Sequence, residues 1–363
     1  MTSLLRDLLR TPLNWLLVFA PAVLVMERVR PDAHVALFLL SVLAIVPLAG
    51  LLSHATEGVA AKTGDAVGGL LNATLGNLTE LVIAITALRA GMLDLVQASL
   101  TGAVVTNSLF MLGGSFLLGG LRHHTQQFNP ANARIQTAML LLATIALLIP
   151  SAAANVDELN VSSFAQRLSL ALSAILLVTY ALSLLFSLKT HREFFASTSE
   201  GASEHGDATW PLGFSLGTLA VATLLIALVS EVFVASVQHA AITFGMSKAF
   251  VGFIVVSLVG GAAEMVSAFS AARKNRLDMS VGIAMGSSAQ IALFVAPVLV
   301  MLSYAVAPVP MDLNFGGAQV LMVLLTTLTT AFVVSTGKSA WYLGVQLLAV
   351  YAAFAVTFYL LPN

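Results

Sequence analysis

Four glutamates stand where an ionisable side chain is costly. Glu57, Glu80, Glu231 and Glu264 fall within or at the ends of long apolar runs, and a carboxylate in hydrocarbon must be neutralised, paired or turned toward water. No Lys or Arg lies inside those runs to pair with Glu80 or Glu264, which makes these two the first candidates for chemistry. Asn77, three residues before Glu80, shares its helix face, and Ser257, seven before Glu264, does likewise. The runs that follow carry Thr106 with Asn107, and Gln290 with Ser287 and Ser288. Every member of this set offers oxygen. Carboxylate, amide, hydroxyl and carbonyl oxygens suit a hard cation such as Ca²⁺, which takes roughly six to eight of them in a flexible cage. Nitrogen and sulfur ligands that would favour Zn²⁺ or Cu are missing from these faces.

Two carboxylates converging on one site also attract protons. Without a metal, two charges in a low dielectric do not both stay ionised comfortably. A divalent cation and protons then compete for the same oxygens, and that competition is enough to couple their movements if the empty, doubly charged site cannot cross between access states. Gly76, Gly260 and Gly261 precede the two glutamates. There a glycine weakens a helix and lets backbone carbonyls turn toward an ion, or lets a neighbouring helix approach. Glu57 and Glu231, near run ends, suit ion recruitment or proton relay. His54, Gln238 and His239 are weaker candidates, while His123, His124 and His205 read as loop residues.

The elements that position these groups must be membrane helices. Of 363 residues, 58% are hydrophobic and 9% charged, and the mean hydropathy is +0.95, a balance that calls for the bilayer as solvent. Apolar runs long enough to span recur near 13–29, 34–57, 66–88, 95–120, 133–153, 164–188, 212–243, 249–272, 279–305, 315–336 and 340–361. They are continuous rather than alternating, which disfavours a barrel. A net charge of −1 gives no reason to expect a nucleic-acid partner, and the basic residues are too scattered for a polybasic lipid-binding cluster. With no cysteine, disulfides, thiolate metal sites and thiol catalysis are excluded. Ala20-Pro21-Ala22 lies inside the first run rather than after it, so an uncleaved helix is expected there, not a signal peptide. Placing the N-terminus inside puts eleven Lys and Arg on the cytoplasmic side against five outside, with the C-terminus outside.

The polar stretch from Lys189 to Trp210, with Glu193, Glu200, Glu204 and Asp207, reads as a mildly acidic linker between halves. Laid over each other without gaps, the halves place Glu80 on Glu264, Arg89 on Arg273, Leu93-Asp94 on Leu277-Asp278, Gly102 on Gly286 and Leu109-Phe110 on Leu293-Phe294. The third span corresponds to the eighth, so the two copies insert in opposite directions. Inverted repeats with a site at their interface are common in secondary transporters. The expected organisation is residues 1–30 as N-terminus and first helix, 31–190 as the first five-helix repeat, 191–211 as linker and 212–363 as the second repeat.

Gly76-Asn77-Leu78-Thr79-Glu80 and Gly260-Gly261-Ala262-Ala263-Glu264 resemble the paired signatures of the cation/proton exchanger family, within the calcium/cation antiporter superfamily. The run Lys274-Asn275-Arg276-Leu277-Asp278, the run Gly282 to Phe294 and the run Gly68 to Thr74 are similar as well, and the likeness extends over most of the chain after the first helix. The resemblance implies an all-α integral membrane fold of about eleven helices, with a lone first helix and two inverted five-helix repeats. It implies that Glu80 and Glu264 hold the cation, assisted by Asn77, Thr106 or Asn107, Ser287 and Gln290. Where sodium/calcium exchangers of the superfamily have Pro before the equivalent glutamate, this chain has Thr79 or Ala263, which points to the proton-coupled branch. The second signature departs from the family's Gly-Asn-x-x-Glu-His at Gly261 and Met265, removing an amide and a titratable group.

The expected function is therefore Ca²⁺/H⁺ antiport by alternating access, with Ca²⁺ as transported substrate, no cofactor, and the lipid bilayer as partner. Oligomeric state is left open, a homo-oligomer included. A Na⁺- or K⁺-coupled exchanger, or an antiporter for another divalent cation such as Mn²⁺, is the alternative. No hydrolase motif supports an enzyme: Gly337-Lys338-Ser339 mimics the end of a phosphate loop but lacks the first glycine at its spacing. A channel would show no obligatory counter-ion. A chain of this form suits a bacterial inner membrane.

Overall fold

The computed structural model describes residues 12–63, 65–153, 161–191, 193 and 210–360. Arg6, Arg10, Arg192, Glu200, Glu204, His205 and Asp207 lie outside them. A 3₁₀ segment, Pro12–Val18, leads into α1 (Phe19–Val29) and α2 (His34–Ala60), followed by α3 (Asp65–Leu75) and α4 (Leu78–Arg89). The next helices are α5 (Leu93–His123), α6 (Pro130–Ala153) and α7 (Val161–Leu185). The second half holds α8 (Leu212–Thr243), α9 (Lys248–Gly260), α10 (Ala262–Arg273), α11 (Leu277–Val306), α12 (Gly317–Val334) and α13 (Trp341–Leu360). Helices suit this composition because every backbone polar group is satisfied within its own segment.

Eight of these helices, α2, α5, α6, α7, α8, α11, α12 and α13, are long and apolar enough to cross a membrane, and α9 with α10 makes a ninth span bent by 60°. The expected count of eleven is not met on that measure. Residues 13–29 form a 3₁₀ segment that runs directly into an 11-residue helix, so no single helix there reaches the length of a span. Residues 66–88 divide into helices of 11 and 12 residues at Gly76-Asn77. Summed apolarity registers neither feature.

The matching of the halves seen in the sequence has a counterpart in the backbone. The break between α3 and α4 falls at Asn77 (φ −98°, ψ 28°) and that between α9 and α10 at Gly261 (φ −81°, ψ 5°), both in the sparsely populated bridge region. Gly91 (φ 73°) and Asn275 (φ 59°) take the left-handed conformation in the turns that follow. Asn is among the few non-glycine residues that tolerate it. α5 and α11 each widen to a π-helical turn, at Thr106–Met111 and Ile291–Val295. Such turns re-aim side chains and are frequent at functional sites.

Packing brings the halves together. α2 lies along α8, with Phe38 stacked on Phe233 at 5.4 Å and His34 on His239 at 4.1 Å between ring centroids. α5 crosses α9 so closely that a side-chain carbon at Gly102 would strike the Phe253 carbonyl. Two short strands, β1 (Thr125–Gln127) and β2 (Lys338–Ala340), pair antiparallel with Gln126 opposite Ser339. They tie the loop after α5 to the loop after α12. Gln126 Nε2 extends the tie to the carbonyl of Ala272 (3.0 Å) and Asn275 Oδ1 (2.8 Å).

Candidate cation site

Each break starts a new helix, and each new helix carries its glutamate in the first turn: Glu80 in α4 and Glu264 in α10. There the free N–H groups and the helix dipole favour a carboxylate. Glu80 lies against the second break, at the start of the helix that carries Glu264. Glycine at the α9–α10 break makes the approach possible, because a side-chain carbon at Gly260 would sit 3.0 Å from Glu80 Cγ and 3.4 Å from its Oε1. One at Gly261 would sit 3.3 Å from Asn107 Oδ1.

Neutral polar groups link the two helix breaks through α5 and α11. Asn107 Nδ2 donates to Ser287 Oγ (3.0 Å), Ser287 Oγ donates to Asn77 Oδ1 (2.9 Å), and Asn77 Nδ2 donates to Gln290 Oε1 (2.6 Å). Ser287 and Glu264 line the same cavity. Beside this chain Ser108 and Ser288 share a bond of 2.9 Å. Three acceptor oxygens are sealed from solvent with no hydrogen-bond partner: Glu80 Oε1, Glu264 Oε2 and Asn107 Oδ1. A buried acceptor left in this way costs about 1–3 kcal/mol, a cost that a bound cation or a proton would relieve.

The remaining candidates separate into three groups. Gly76 stands at the first break, where a side-chain carbon would meet the Asn72 carbonyl at 2.7 Å and lie 3.7 Å from Gln290 Oε1. Thr106, fully buried, bonds to the hydroxyl of Tyr351 at 3.2 Å. Ser257 is engaged in the α5–α9 crossing, donating to the carbonyls of Ser99 (3.1 Å) and Gly252 (3.2 Å). Glu57 and Glu231 lie outside the cluster and line different cavities. Glu57, its side chain 54% exposed, is 3.9 Å from His54 Nδ1 and lines a cavity of about 350 Å³ that reaches Glu264, Ser287 and Gln290. Glu231 lines a different cavity with Arg89 and His239.

Two participants were not singled out from sequence. Tyr351 holds Thr106, and Gln136, whose Oε1 is sealed without a partner, faces Gly286 at 3.8 Å from the position of a side-chain carbon there. Each is a polar residue inside an apolar run, the same signal that marked the glutamates, but in the ungapped match Gln136 falls on Val320 and Tyr351 on Arg167, so neither is repeated in kind in the other half.

Residues 33–189 and 214–360 match the family described as sodium/calcium exchanger protein. The chain belongs to that family. It is 39% identical to a Ca²⁺/H⁺ antiporter of Aphanothece halophytica over 359 residues, 96% of each chain. It is also 39% identical to a Ca²⁺/H⁺ antiporter of Synechocystis sp. over 340 residues, 90% of this chain and 91% of the relative. The solved structure of native YfkE is similar at a TM-score of 0.81 with 35% identity, covering 95% of this chain and 98% of that one. This exchanger is thus a multi-pass membrane protein. Among its described residues no three His, Asp or Glu side chains cluster tightly enough to hold a metal ion. Two carboxylates with neutral oxygens around them suit an ion that must leave again.

Proposed function

We propose that this exchanger moves Ca²⁺ in one direction and H⁺ in the other by alternating access, with Glu80 and Glu264 as the groups that bind either one. The observation that carries the reading is the trio of sealed, unpartnered oxygens, Glu80 Oε1, Glu264 Oε2 and Asn107 Oδ1, gathered at a pair of helix breaks. The Ca²⁺/H⁺ antiporters similar over most of the chain support it. Ca²⁺ takes the carboxylate oxygens together with amide and hydroxyl oxygens of Asn77, Asn107, Ser287 and Gln290, and backbone at Gly76 and Gly260 completes the cage. Thr106 supports this wall through Tyr351.

Loss of Ca²⁺ leaves two carboxylates facing each other in a poor dielectric, and protons taken from water neutralise them. Either load lets the site cross the membrane; the empty, doubly charged site stays where it is. The two inverted halves supply two related ways of opening. Glu57 gathers cations at the mouth on the cytoplasmic side and Glu231 at the outer mouth. The orientation follows the Lys and Arg distribution, N-terminus in and C-terminus out.

The test places purified protein in liposomes with a trapped pH dye, imposes a proton gradient and adds Ca²⁺, Mn²⁺, Na⁺ or K⁺ in turn. A dye response to Ca²⁺ that disappears in Glu80→Gln and in Glu264→Gln is expected. Ca²⁺ uptake that requires opposing Na⁺ and moves no protons would refute proton coupling, and normal exchange in both variants would refute the site.

A further inference from the structure

The cavity that runs from Glu57 is not the only space reaching the site. A second, of about 280 Å³, lies on the other flank of α3 and meets the first at Asn72, Gly286 and Gln290. Its walls come from α6 and α7, with Gln136, Tyr180, Ser183 and Ser187 among its polar residues. The two spaces differ in charge. Among the described lining residues, the first carries Glu57 and Glu264, whereas the second shows no ionisable carboxylate or amine, only amides, hydroxyls and apolar groups.

That difference sorts ions. Desolvation cost rises with the square of the charge, so a divalent ion entering an uncharged polar space faces roughly four times the penalty of a monovalent one. The first branch offsets the penalty with carboxylates and the second does not. The second can still hold water. Each water takes roughly 30 Å³ and needs polar partners, and the wall supplies Gln136, Ser183 and Ser187 as amide and hydroxyl partners.

We propose that this second cavity is a water-filled branch that delivers protons to the Gln290 end of the site, while the divalent cation travels the branch lined by Glu57. A hydronium in the branch passes its proton along the water chain to a carboxylate oxygen of the site and leaves neutral water behind. The proposal rests on the Ca²⁺/H⁺ reading given above.

The absence of cysteine makes a reversible test direct. Ser183→Cys places the chain's one thiol in the wall of the branch, with Ser187→Cys as a second placement just past the end of α7. A methanethiosulfonate reagent adds a blocking group as a mixed disulfide, and dithiothreitol removes it, so each sample is its own control for folding. Two fluxes are measured in liposomes: Ca²⁺/H⁺ exchange, and isotopic Ca²⁺/Ca²⁺ exchange, which needs no proton. Blocking is expected to slow Ca²⁺/H⁺ exchange at least five-fold, to leave Ca²⁺/Ca²⁺ exchange within two-fold, and to be undone by the reductant. Equal loss of both fluxes, loss of neither, or failure of the reagent to label either thiol would each overturn the branch. If the unblocked protein itself shows no Ca²⁺/H⁺ exchange, the functional reading fails instead.

Discussion

Asn77 Nδ2 donates to Gln290 Oε1 at 2.6 Å, so the first helix break is bonded to the middle of α11 in the other half of the chain. Ser287, one turn earlier on α11, closes the arrangement by donating to Asn77 Oδ1 while accepting from Asn107. The single hydroxyl proton of Ser287 is therefore directed to Asn77. Ser287→Ala removes this donor from the site without adding bulk. The half-saturating Ca²⁺ concentration is expected to rise about ten-fold, the equivalent of about 1.4 kcal/mol. An unchanged value in a liposome uptake assay would mean that the bonds only hold the helices together.

Competition between Ca²⁺ and protons fixes the sign of the pH dependence. Raising pH removes the protons that Ca²⁺ must displace, so apparent Ca²⁺ affinity rises with pH, by up to about one log unit per pH unit for each proton released. Equilibrium binding of ⁴⁵Ca²⁺ in detergent across a pH series reads this slope. Glu80→Gln should flatten it, since one competing carboxylate is gone. A steep slope retained in that variant would move the competition elsewhere.

Position 261 offers a substitution whose outcome sequence comparison alone would misjudge. Gly261→Asn restores the amide of the family signature, yet the space is already claimed, with Asn107 Oδ1 3.3 Å and Met265 Cε 3.4 Å from where the new side-chain carbon would stand. The variant is expected to lose at least five-fold in Ca²⁺ uptake. Pairing it with Met265→Ala, which vacates part of the space, should recover part of that loss. Recovery absent from the double variant would show that the two residues do not share a volume.

Gly102 and Gly282 both stand inside long membrane helices, α5 and α11, and they differ in their surroundings. A side-chain carbon at Gly102 would collide with the backbone carbonyl of Phe253, whereas one at Gly282 meets nothing within 4 Å. Gly102→Ala is expected to cost about 1–3 kcal/mol and to lower the thermal unfolding midpoint. Gly282→Ala should leave the midpoint unchanged or raise it, because alanine is the better helix former. Fluorescence-monitored unfolding in detergent distinguishes the two; equal midpoints would contradict the close crossing of α5 and α9.

Long apolar runs were legible because continuous hydrophobicity dictates a membrane helix: 212–243 is α8 from end to end, and 340–361 is α13 to within a residue or so. The runs at 13–29 and 66–88 were equally apolar but not equally helical. Gly76 marked a weak point, yet nothing in the composition says that a helix restarts at Leu78. At the site, the ungapped match of the halves located Glu80 with Glu264. The same match lays Thr106 on Gln290, and those two have different partners. Gln290 bonds Asn77, while Thr106 bonds Tyr351, a residue from a helix whose approach only the tertiary packing decides. Ser257 shared a face with Glu264 by spacing, but the crossing with α5 engages its hydroxyl first.

The pairing of β1 with β2 has a use beyond joining two loops. Two strands of three residues each are too small to persist alone in water, so their amides stay protected from exchange only while the helices on either side hold the loops in register. Hydrogen exchange at Gln126 and Ser339 is consequently a gauge built into the molecule, reading the separation of the loops after α5 and α12 without any attached label. Followed with Ca²⁺ present and then with Ca²⁺ removed, it reports how far apart those two loops stand at each stage of the transport cycle.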